Sequence, residues 1–295
     1  MKKNKKNVHG ILLLDKPTGM SSNKALQIIK HRFNAAKAGH TGSLDPLATG
    51  LLPICFGQAT KISEYLLHSH KRYQTTIKLG EVTDTLDSEG EVTQRCDVTV
   101  SDEDINKALA QFRGDIKQVP PMYSALKKDG QPLYKLARKG EVIERPARDM
   151  TVFELTAERL DDVHVKLNVH CSSGFYIRSL AHDLGQALGC GAHVVELRRT
   201  HIKSTSVLQA HSLEVIEQAK LVDVLLPIDT LISEMPKLML SETQQTNLKH
   251  GRAASAEGLT SDGISRLYSA DDSLFGIGEV TELGQIKTHK MFVDV

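Results

Sequence analysis

The sequence predicts an α+β fold, in which strands and helices occupy separate segments of the chain. Residues 73–79 alternate apolar and polar side chains with the period of a half-buried strand. Residues 101–114 combine a Ser101-x-x-Asp104 capping pair, apolar side chains at helical spacing and a terminal glycine, which predicts a helix. A second amphipathic helix is predicted at 176–188, directly after strand patterns, so we expect a mixed or antiparallel sheet with segregated helices.

The other predicted elements follow from the same local rules. A helix begins at Ser21 or Ser22, and the glycine- and proline-rich stretch 39–50 is predicted to be a loop. Pro227 and Pro236 bracket a predicted linker before a small β-rich tail with one helix, 241–250. The remaining strands are predicted at 10–14, 152–158, 163–171, 194–197, 264–270 and 274–280.

Composition fits a globular chain of one large domain or two ordinary ones. The 295 residues are 40% apolar and 25% charged, which excludes fibrous, disordered and disulfide-scaffold classes. The net charge of +1 hides a gradient along the chain. Residues 1–60 carry nine Lys or Arg against two acids, whereas 81–118 carry four against ten. A further basic stretch, 125–148, has seven bases against three acids, and such asymmetry indicates a nucleic-acid or acidic partner.

The cysteines and the N-terminus predict a cytoplasmic protein. Four scattered cysteines without a C-x-x-C pair are typical of reduced, mostly buried thiols. The apolar run 11–14 after the Lys-rich start is too short for a signal peptide or a membrane span. The sequence has no long apolar stripe of the kind that would indicate an obligate dimer, so we expect a monomer. We also expect no membrane partner.

Most common catalytic motifs are missing from the sequence. It contains no phosphate-binding G-x-x-x-x-G-K-[ST], no complete dinucleotide fingerprint, no zinc-type Cys/His cluster and no G-x-S-x-G. Asp84, Asp87 and Glu89 lack the spacing of a calcium loop, and we interpret them as a solvated turn. We therefore expect no metal and no cofactor.

Three segments carry candidate chemistry, and each also has a plain structural interpretation. Asp45 lies in the loop 39–50, either as a reactive carboxylate or as an ordinary Asp-Pro turn. Arg178 lies in the first turn of the helix 176–188, either as a site residue or as a surface cation. Tyr73 follows two bases, an arrangement that suits a stacked nucleotide but also strand-edge packing.

Taken together, the motifs resemble those of the TruB family of tRNA pseudouridine-55 synthases. The ordered series covers most of residues 9–200, and its G-H-T-G-x-L-D-P loop is highly specific. The matching stretches are L-L-L-D-K-P-T-G-M-S-S (12–22), G-H-T-G-S-L-D-P-L-A-T-G-L-L-P (39–53), K-R-Y (71–73), G-x-x-T-D-T-x-D-x-x-G (80–90), P-P-x-Y-S-A-L-K (120–127) and C-S-S-G-F-Y-I-R-S-L-A-x-D-L-G (171–185).

The resemblance implies a domain organisation and an activity. It implies a pseudouridine synthase catalytic domain at 9–235, with a basic RNA-gripping insert at about 125–148. It also implies a PUA-like RNA-binding domain at 237–295. The implied activity is isomerisation of uridine to pseudouridine at position 55 in the T-loop of tRNA, without a cofactor. The implied partner is the T-arm stem-loop, whose target base is flipped out for reaction.

The resemblance also assigns roles to individual residues. Asp45 is the implied catalytic carboxylate, which either attacks the nucleotide or abstracts a ribose proton, and Arg178 is the cation that keeps it ionised. Tyr73 would stack on the extruded base. The other implied RNA contacts are His40 in the vacated space, Tyr176 and Leu197 in the pocket wall, Lys61 nearby, and Lys127, Lys128, Arg138 and Lys139 on the insert.

Several of these assignments have alternatives. Leu197 suits a core position, Tyr176 could anchor its helix, and the insert could be a solvated charged loop. At the level of the whole chain, a non-catalytic RNA-binding or RNA-folding protein would share the basic segments without needing Asp45. A PUA-bearing RNA methyltransferase is disfavoured because the glycine-rich cofactor loop is missing.

Overall fold

A computed structural model describes residues 4–261 and 263–292 of the chain. Residues 1–3, 262 and 293–295 lie outside the described residues. The first three belong to the basic N-terminal stretch, and the other four belong to the predicted C-terminal domain, 237–295. The α+β class is confirmed, since two separate sheets hold most of the described strands and the helices occupy segments of their own along the chain.

Short connections join the elements in chain order. The strands are β1 Gly10–Lys16, β2 Ala38–His40, β3 Thr49–Phe56, β4 Lys71–Leu79, β5 Glu81–Thr83, β6 Val92–Arg95, β7 Gly114–Gln118, β8 Lys127–Lys128, β9 Gln131–Pro132, β10 Arg148–Arg159, β11 His164–Cys171, β12 Ala192–Ile202, β13 Thr205–Ser206, β14 Lys237–Met239, β15 Ala254–Ser255, β16 Ser265–Tyr268, β17 Leu274–Val280 and β18 Gln285–Met291. The helices are α1 Ser22–Arg32, α2 Ser63–Leu67, α3 Asp102–Leu109, α4 Leu133–Ala137, α5 Ile177–Ala187, α6 Leu213–Gln218, α7 Leu221–Val224 and α8 Glu242–Lys249.

The large sheet brings distant segments of the chain to one place. Within the described residues its order is β1-β3-β12-β4-β11-β10-β7, with β2 added to β3 and β13 to β12. Neighbouring strands are antiparallel except β3 and β12, which pair in parallel where Thr49 faces Arg198. The start of β3, the end of β12 and the start of β4 therefore meet at one end of the sheet.

Helix α5 lies against this sheet because its apolar stripe and one glycine allow close contact. Leu180 and Leu184 are fully buried in the main core. A Cβ atom at Gly185 would lie 2.2 Å from the backbone nitrogen of Ala192, so only glycine fits at this approach to β12. The helix thus has a fixed position, and its first turn points at the end of the sheet where β3, β4 and β12 meet.

The second sheet has the order β14-β16-β17-β18-β15 and its own small core with α8. The segment between Pro227 and Pro236, predicted to be a linker, is packed: Leu231 and Ile232 are buried together with Phe292 of the C-terminal part. A proline-bracketed segment looks like a linker in sequence, but these two apolar side chains bury it. The boundary between 235 and 237 remains a prediction.

The basic insert has little structure of its own. The hairpin β8–β9 and the short helix α4 bury Leu133 and Leu136, while the four predicted phosphate contacts on it are exposed, namely Lys127, Lys128, Arg138 and Lys139. Across residues 4–261 and 263–292, we find no helix with the length and apolar character that a membrane crossing requires.

Candidate active site

A cavity of about 510 Å³ opens where the loop 39–50, the start of β4, the first turn of α5 and the end of β12 converge. The side chains around it come from segments far apart in sequence. Those that the argument uses are His40, Asp45, Tyr73, Tyr176, Arg178, Leu197 and Arg199. The structure therefore brings together six of the residues singled out from the sequence and adds Arg199.

The backbone around Asp45 is held in place from both sides. Ser22 Oγ accepts from the Leu44 N–H at 2.7 Å and donates to the Leu44 carbonyl at 3.0 Å. The buried Lys16 ammonium donates to the carbonyls of Met20 at 2.8 Å and of Pro46 at 3.4 Å. These contacts tie the loop to β1 and α1, so the Asp45 carboxylate is presented by a fixed backbone.

Gly50 ends this loop in a conformation that favours glycine. Its φ is +104°, and a Cβ atom there would lie 2.3 Å from the Arg199 carbonyl oxygen. The close approach of the two backbones allows β3 to pair with β12 beside the cavity.

Asp45 and Arg178 form an ion pair at the cavity floor. Arg178 Nη2 lies 2.9 Å from Asp45 Oδ2; the Arg178 side chain is 5% exposed and that of Asp45 is 39% exposed, toward the cavity. The same guanidinium donates to the carbonyls of Thr85 at 3.0 Å and Tyr123 at 2.7 Å. Arg178 is therefore neither on the surface nor free to rotate, which rules out the surface-cation alternative.

Asp87 is a second carboxylate on Arg178 that the sequence interpretation missed. The Asp84–Glu89 segment was expected to be a solvated turn, which is wrong for Asp87. Its side chain is 4% exposed, and its Oδ2 lies 3.4 Å from Arg178 Nη1. Its Oδ1 accepts from Thr85 Oγ at 2.6 Å and from the Glu89 N–H at 3.1 Å. Its place in the T-D-T-x-D motif was the available signal.

One guanidinium thus serves two carboxylates, and this affects the proton affinity of Asp45. Burial raises the pKa of Asp45, the Arg178 cation lowers it, and the Asp87 carboxylate raises it again. The balance leaves the pKa of Asp45 above the usual value for an aspartate.

Tyr73 is fixed by a buried arginine that no sequence pattern indicated. Arg199 is 1% exposed, and its guanidinium donates to the carbonyls of Leu51 at 2.8 Å and Gly42 at 3.2 Å. It also hydrogen-bonds the Tyr73 hydroxyl, whose pKa is raised by burial and lowered by this cation. The Tyr73 ring is consequently held as one wall of the cavity.

His40, Tyr176 and Leu197 complete the wall, whereas Lys61 lies elsewhere. Burial and the Arg199 cation lower the pKa of His40, so its imidazole is neutral near pH 7. Leu197 is buried and also lines the cavity, and its contact with RNA stays a prediction. Lys61 was expected near this pocket, but its Nζ donates to the Met291 carbonyl at 2.5 Å, against the C-terminal sheet. It lies on the 3₁₀ helix Gly57–Ile62, which packs under β3, away from the cavity.

Only the start of the basic insert reaches the cavity. Ser124 and Ala125 line the cavity, whereas Lys127, Lys128, Arg138 and Lys139 do not. Within the described ranges, no group of three or more His, Cys, Asp or Glu side chains could hold a metal ion. The arrangement offers a carboxylate with a cationic partner, set between aromatic side chains and suited to one planar polar ring.

Comparisons with known proteins agree on one family across the chain. Residues 30–177 match the TruB family pseudouridylate synthase N-terminal domain, residues 178–233 the tRNA pseudouridylate synthase B C-terminal domain, and residues 236–292 the C-terminal domain of pseudouridine synthase II TruB. The chain is 49% identical to tRNA pseudouridine synthase B of Pseudomonas putida strain GB-1, covering 99% of this chain and 98% of that protein. The same enzyme of Aeromonas salmonicida strain A449 is 48% identical, covering 97% and 94%.

Solved structures show the same architecture. A chain of a crystallised Cbf5-Nop10-Gar1 complex superposes with a TM-score of 0.73 at 25% identity, covering 97% of this chain and 85% of that one. A chain of an H/ACA ribonucleoprotein bound to a substrate RNA containing 2′-deoxyuridine also gives 0.73, at 22% identity and the same coverage. The fold is common to all of them.

Proposed function

The chain belongs to the TruB family of pseudouridylate synthases, and on this premise we propose that it isomerises uridine 55 in the T-loop of tRNA in the cavity around Asp45. The observation that carries the proposal is the Asp45–Arg178 ion pair, 2.9 Å long, at the floor of a cavity of about 510 Å³. This volume lies within the range of about 300–1,000 Å³ that is usual for small-molecule sites.

The reaction needs few chemical groups. The N1–C1′ bond breaks, the detached base rotates, and C5 bonds to C1′; C5 then loses its proton and N1 gains one, so no electrons enter or leave. Asp45 either attacks the nucleotide or abstracts a ribose proton, and both roles require its ionised form. Arg178 favours that form, because it lies against the carboxylate in a partly desolvated site.

The target base must leave the folded T-loop to reach Asp45. Extruding a base costs a few kcal/mol of stacking and pairing, which contacts inside the pocket offset. We propose that Tyr73 stacks on the extruded base and that His40 fills the space that the base leaves in the RNA. Tyr176 and Leu197 form the pocket wall. The neutral His40 ring suits this role, since it adds no charge next to the Arg199 cation.

The test of this function is tritium release from a T-arm stem-loop containing [5-³H]uridine. Stoichiometric release by the wild-type protein is the expected result. No release with normal RNA binding would overturn the proposal in favour of a non-catalytic RNA-binding or RNA-folding protein. A stem-loop with the target uridine replaced by cytidine is the matched control, and pseudouridine in a digest identifies the product.

We further propose that the protein acts on tRNA as a monomer in the cytoplasm, with a PUA-like domain at 237–295 that packs against the rest of the chain. Within the described residues, all four cysteines are free thiols, in keeping with a reducing compartment. Sedimentation with and without T-arm RNA tests this, and a stable dimer in either case would contradict it.

Tyr73→Ala is expected to slow turnover by about 10²-fold while weakening RNA binding much less. Stacking of a base on an aromatic ring is worth about 1–3 kcal/mol, and the extruded base needs it on the way to the transition state. Tyr73→Phe is the control, because it keeps the ring and loses only the hydroxyl contact to Arg199. Equal losses of turnover and affinity would contradict a stacking role.

Replacing Lys127, Lys128, Arg138 and Lys139 with glutamine is expected to flatten the salt dependence of RNA binding. Each phosphate contact contributes about 0.7–0.9 to the slope of log affinity against log salt, so four lost contacts reduce it by about 3. The control variant replaces four exposed cations elsewhere, Arg95, Lys107, Lys117 and Lys220. An unchanged slope in the insert variant would make the insert an ordinary solvated loop.

A further inference from the structure

Gln118 occupies the point where the basic insert leaves the large sheet. It is the last residue of β7 and pairs with Arg148, the first residue of β10, so residues 119–147 leave and return there. Its side chain is buried, with the residue 2% exposed. A buried primary amide needs partners for both its N–H and its C=O, and these partners show what the side chain holds in place.

Both partners belong to the backbone of Tyr176. Gln118 Nε2 donates to the Tyr176 carbonyl at 3.0 Å, and Gln118 Oε1 accepts from the Tyr176 N–H at 2.8 Å. Tyr176 is the N-cap residue of α5, and its own side chain makes no capping hydrogen bond. The amide of Gln118 therefore holds the peptide units on both sides of a cavity residue, as a neighbouring strand would.

Two further contacts join the same pair of segments. Ser179 Oγ donates to the Val119 carbonyl at 2.8 Å, and Arg178 Nη2 donates to the Tyr123 carbonyl at 2.7 Å. Side-chain hydrogen bonds thus join residues 118–123, which lead into the basic insert, to the start of α5 at three positions. Gln118 is the one that makes two hydrogen bonds to the backbone of a cavity residue, and its own side chain does not line the cavity.

We propose that Gln118 is a positioning residue for the reaction: by clamping the Tyr176 backbone, it aims Tyr176 at the bound base and Arg178 at Asp45. The inference rests on the proposed function, since it takes Tyr176 and Arg178 to serve uridine isomerisation. It also connects the basic insert to the cavity indirectly, because the chain that leads into the insert leaves the large sheet at Gln118. Gln118 acts only through the start of α5.

The first test is the single-turnover rate of tritium release at saturating enzyme. Gln118→Met keeps the volume and removes both hydrogen bonds, so we expect a fall of about 10²-fold, as misplacements of about 1 Å can cause. RNA affinity should stay within about threefold. Gln244→Met is the matched control: its amide makes the same kind of clamp in the C-terminal sheet region, to the Ser255 carbonyl and the Ser241 N–H. A rate within twofold of wild type for a folded Gln118→Met protein would overturn the proposal.

The second test separates positioning from folding and uses Gln118→Glu. A protonated carboxyl donates and accepts like the amide, whereas the ionised form cannot donate to the Tyr176 carbonyl. The acid limb of the rate profile reports the ionisation of Asp45, whose carboxylate faces the charged groups Arg178, Asp87 and Lys16. Because a start of α5 that is no longer clamped does not hold Arg178 against Asp45, we expect the acid limb of the rate profile to move to higher pH in Gln118→Glu and Gln118→Met and to stay in place in Gln244→Met.

An acid limb that stays at the wild-type pH in a folded Gln118→Glu protein would overturn the proposal even if Gln118→Met fails to fold. Wild-type protein that releases no tritium would instead overturn the proposed function, so the two failures are distinguishable.

Discussion

Asp45→Asn is expected to lower the rate of pseudouridine formation by about 10⁴-fold or more. The amide keeps the size and most of the hydrogen bonding of the carboxylate but can neither attack a carbon atom nor take up a proton. The loop that presents it should not move, because Lys16 and Ser22 hold the flanking backbone without touching the carboxylate. The loss should therefore appear in the chemical step alone.

Single-turnover tritium release and an RNA-binding titration measure this separation. RNA affinity should stay within a few-fold of wild type, because the substitution removes a charge that attracts no phosphate. Asp149→Asn is the matched control: its side chain is 89% exposed, pairs with Lys117 and does not line the cavity. Full turnover by Asp45→Asn would sink the assignment of the catalytic residue while leaving family membership untouched.

Arg178→Met is expected to lower the rate by about 10³-fold, close to the upper effect of removing one preorganised charged group from a reacting site. Without the guanidinium, Asp45 faces Asp87 with no cation between them; burial and Asp87 raise the pKa of Asp45, and of the cations that lower it only Lys16 remains. The reactive ionised form is present above that pKa and is lost as the pH falls through it. The acid limb of the rate profile should therefore move to higher pH in the variant.

The same substitution should destabilise the fold, because it leaves Asp87 buried without its cation. Breaking a buried pair costs about 3–5 kcal/mol, seen as a lower melting temperature. The double variant Arg178→Met/Asp87→Asn should recover much of that stability and little of the activity. Recovery of both together would mean that Arg178 matters only for folding, and an unmoved acid limb would mean that it does not act on Asp45.

Local patterns in the sequence predicted those parts of the molecule that depend on near neighbours. The capping box of Ser101 and Asp104 is present in the structure. Alternation at 73–79 marked β4, and apolar spacing marked α5, each within a few residues of its observed ends. These elements form because their own side chains satisfy the period and the caps.

The polar interior could not be predicted in this way. Arg199, Lys71 and Gln118 are buried and donate mainly to backbone carbonyl groups, and a carbonyl group leaves no mark on sequence. Asp87 looked like a turn residue because its cation, Arg178, lies 91 positions further along the chain. The juxtaposition of Asp45 and Arg178 was implied by family motifs rather than by spacing.

The parallel pairing of β3 with β12 also determines the stage of translation at which the cavity can be completed. Thr49 and Arg198 are 149 positions apart, and until the second of them has left the ribosome the cavity lacks Leu197 and Arg199. A nascent chain that ends before β12 carries Asp45 and Tyr73 but has no strand to join their segments. Because long-range strand pairing is slow, such a chain should wait partly ordered and inactive until about two thirds of its length has been translated.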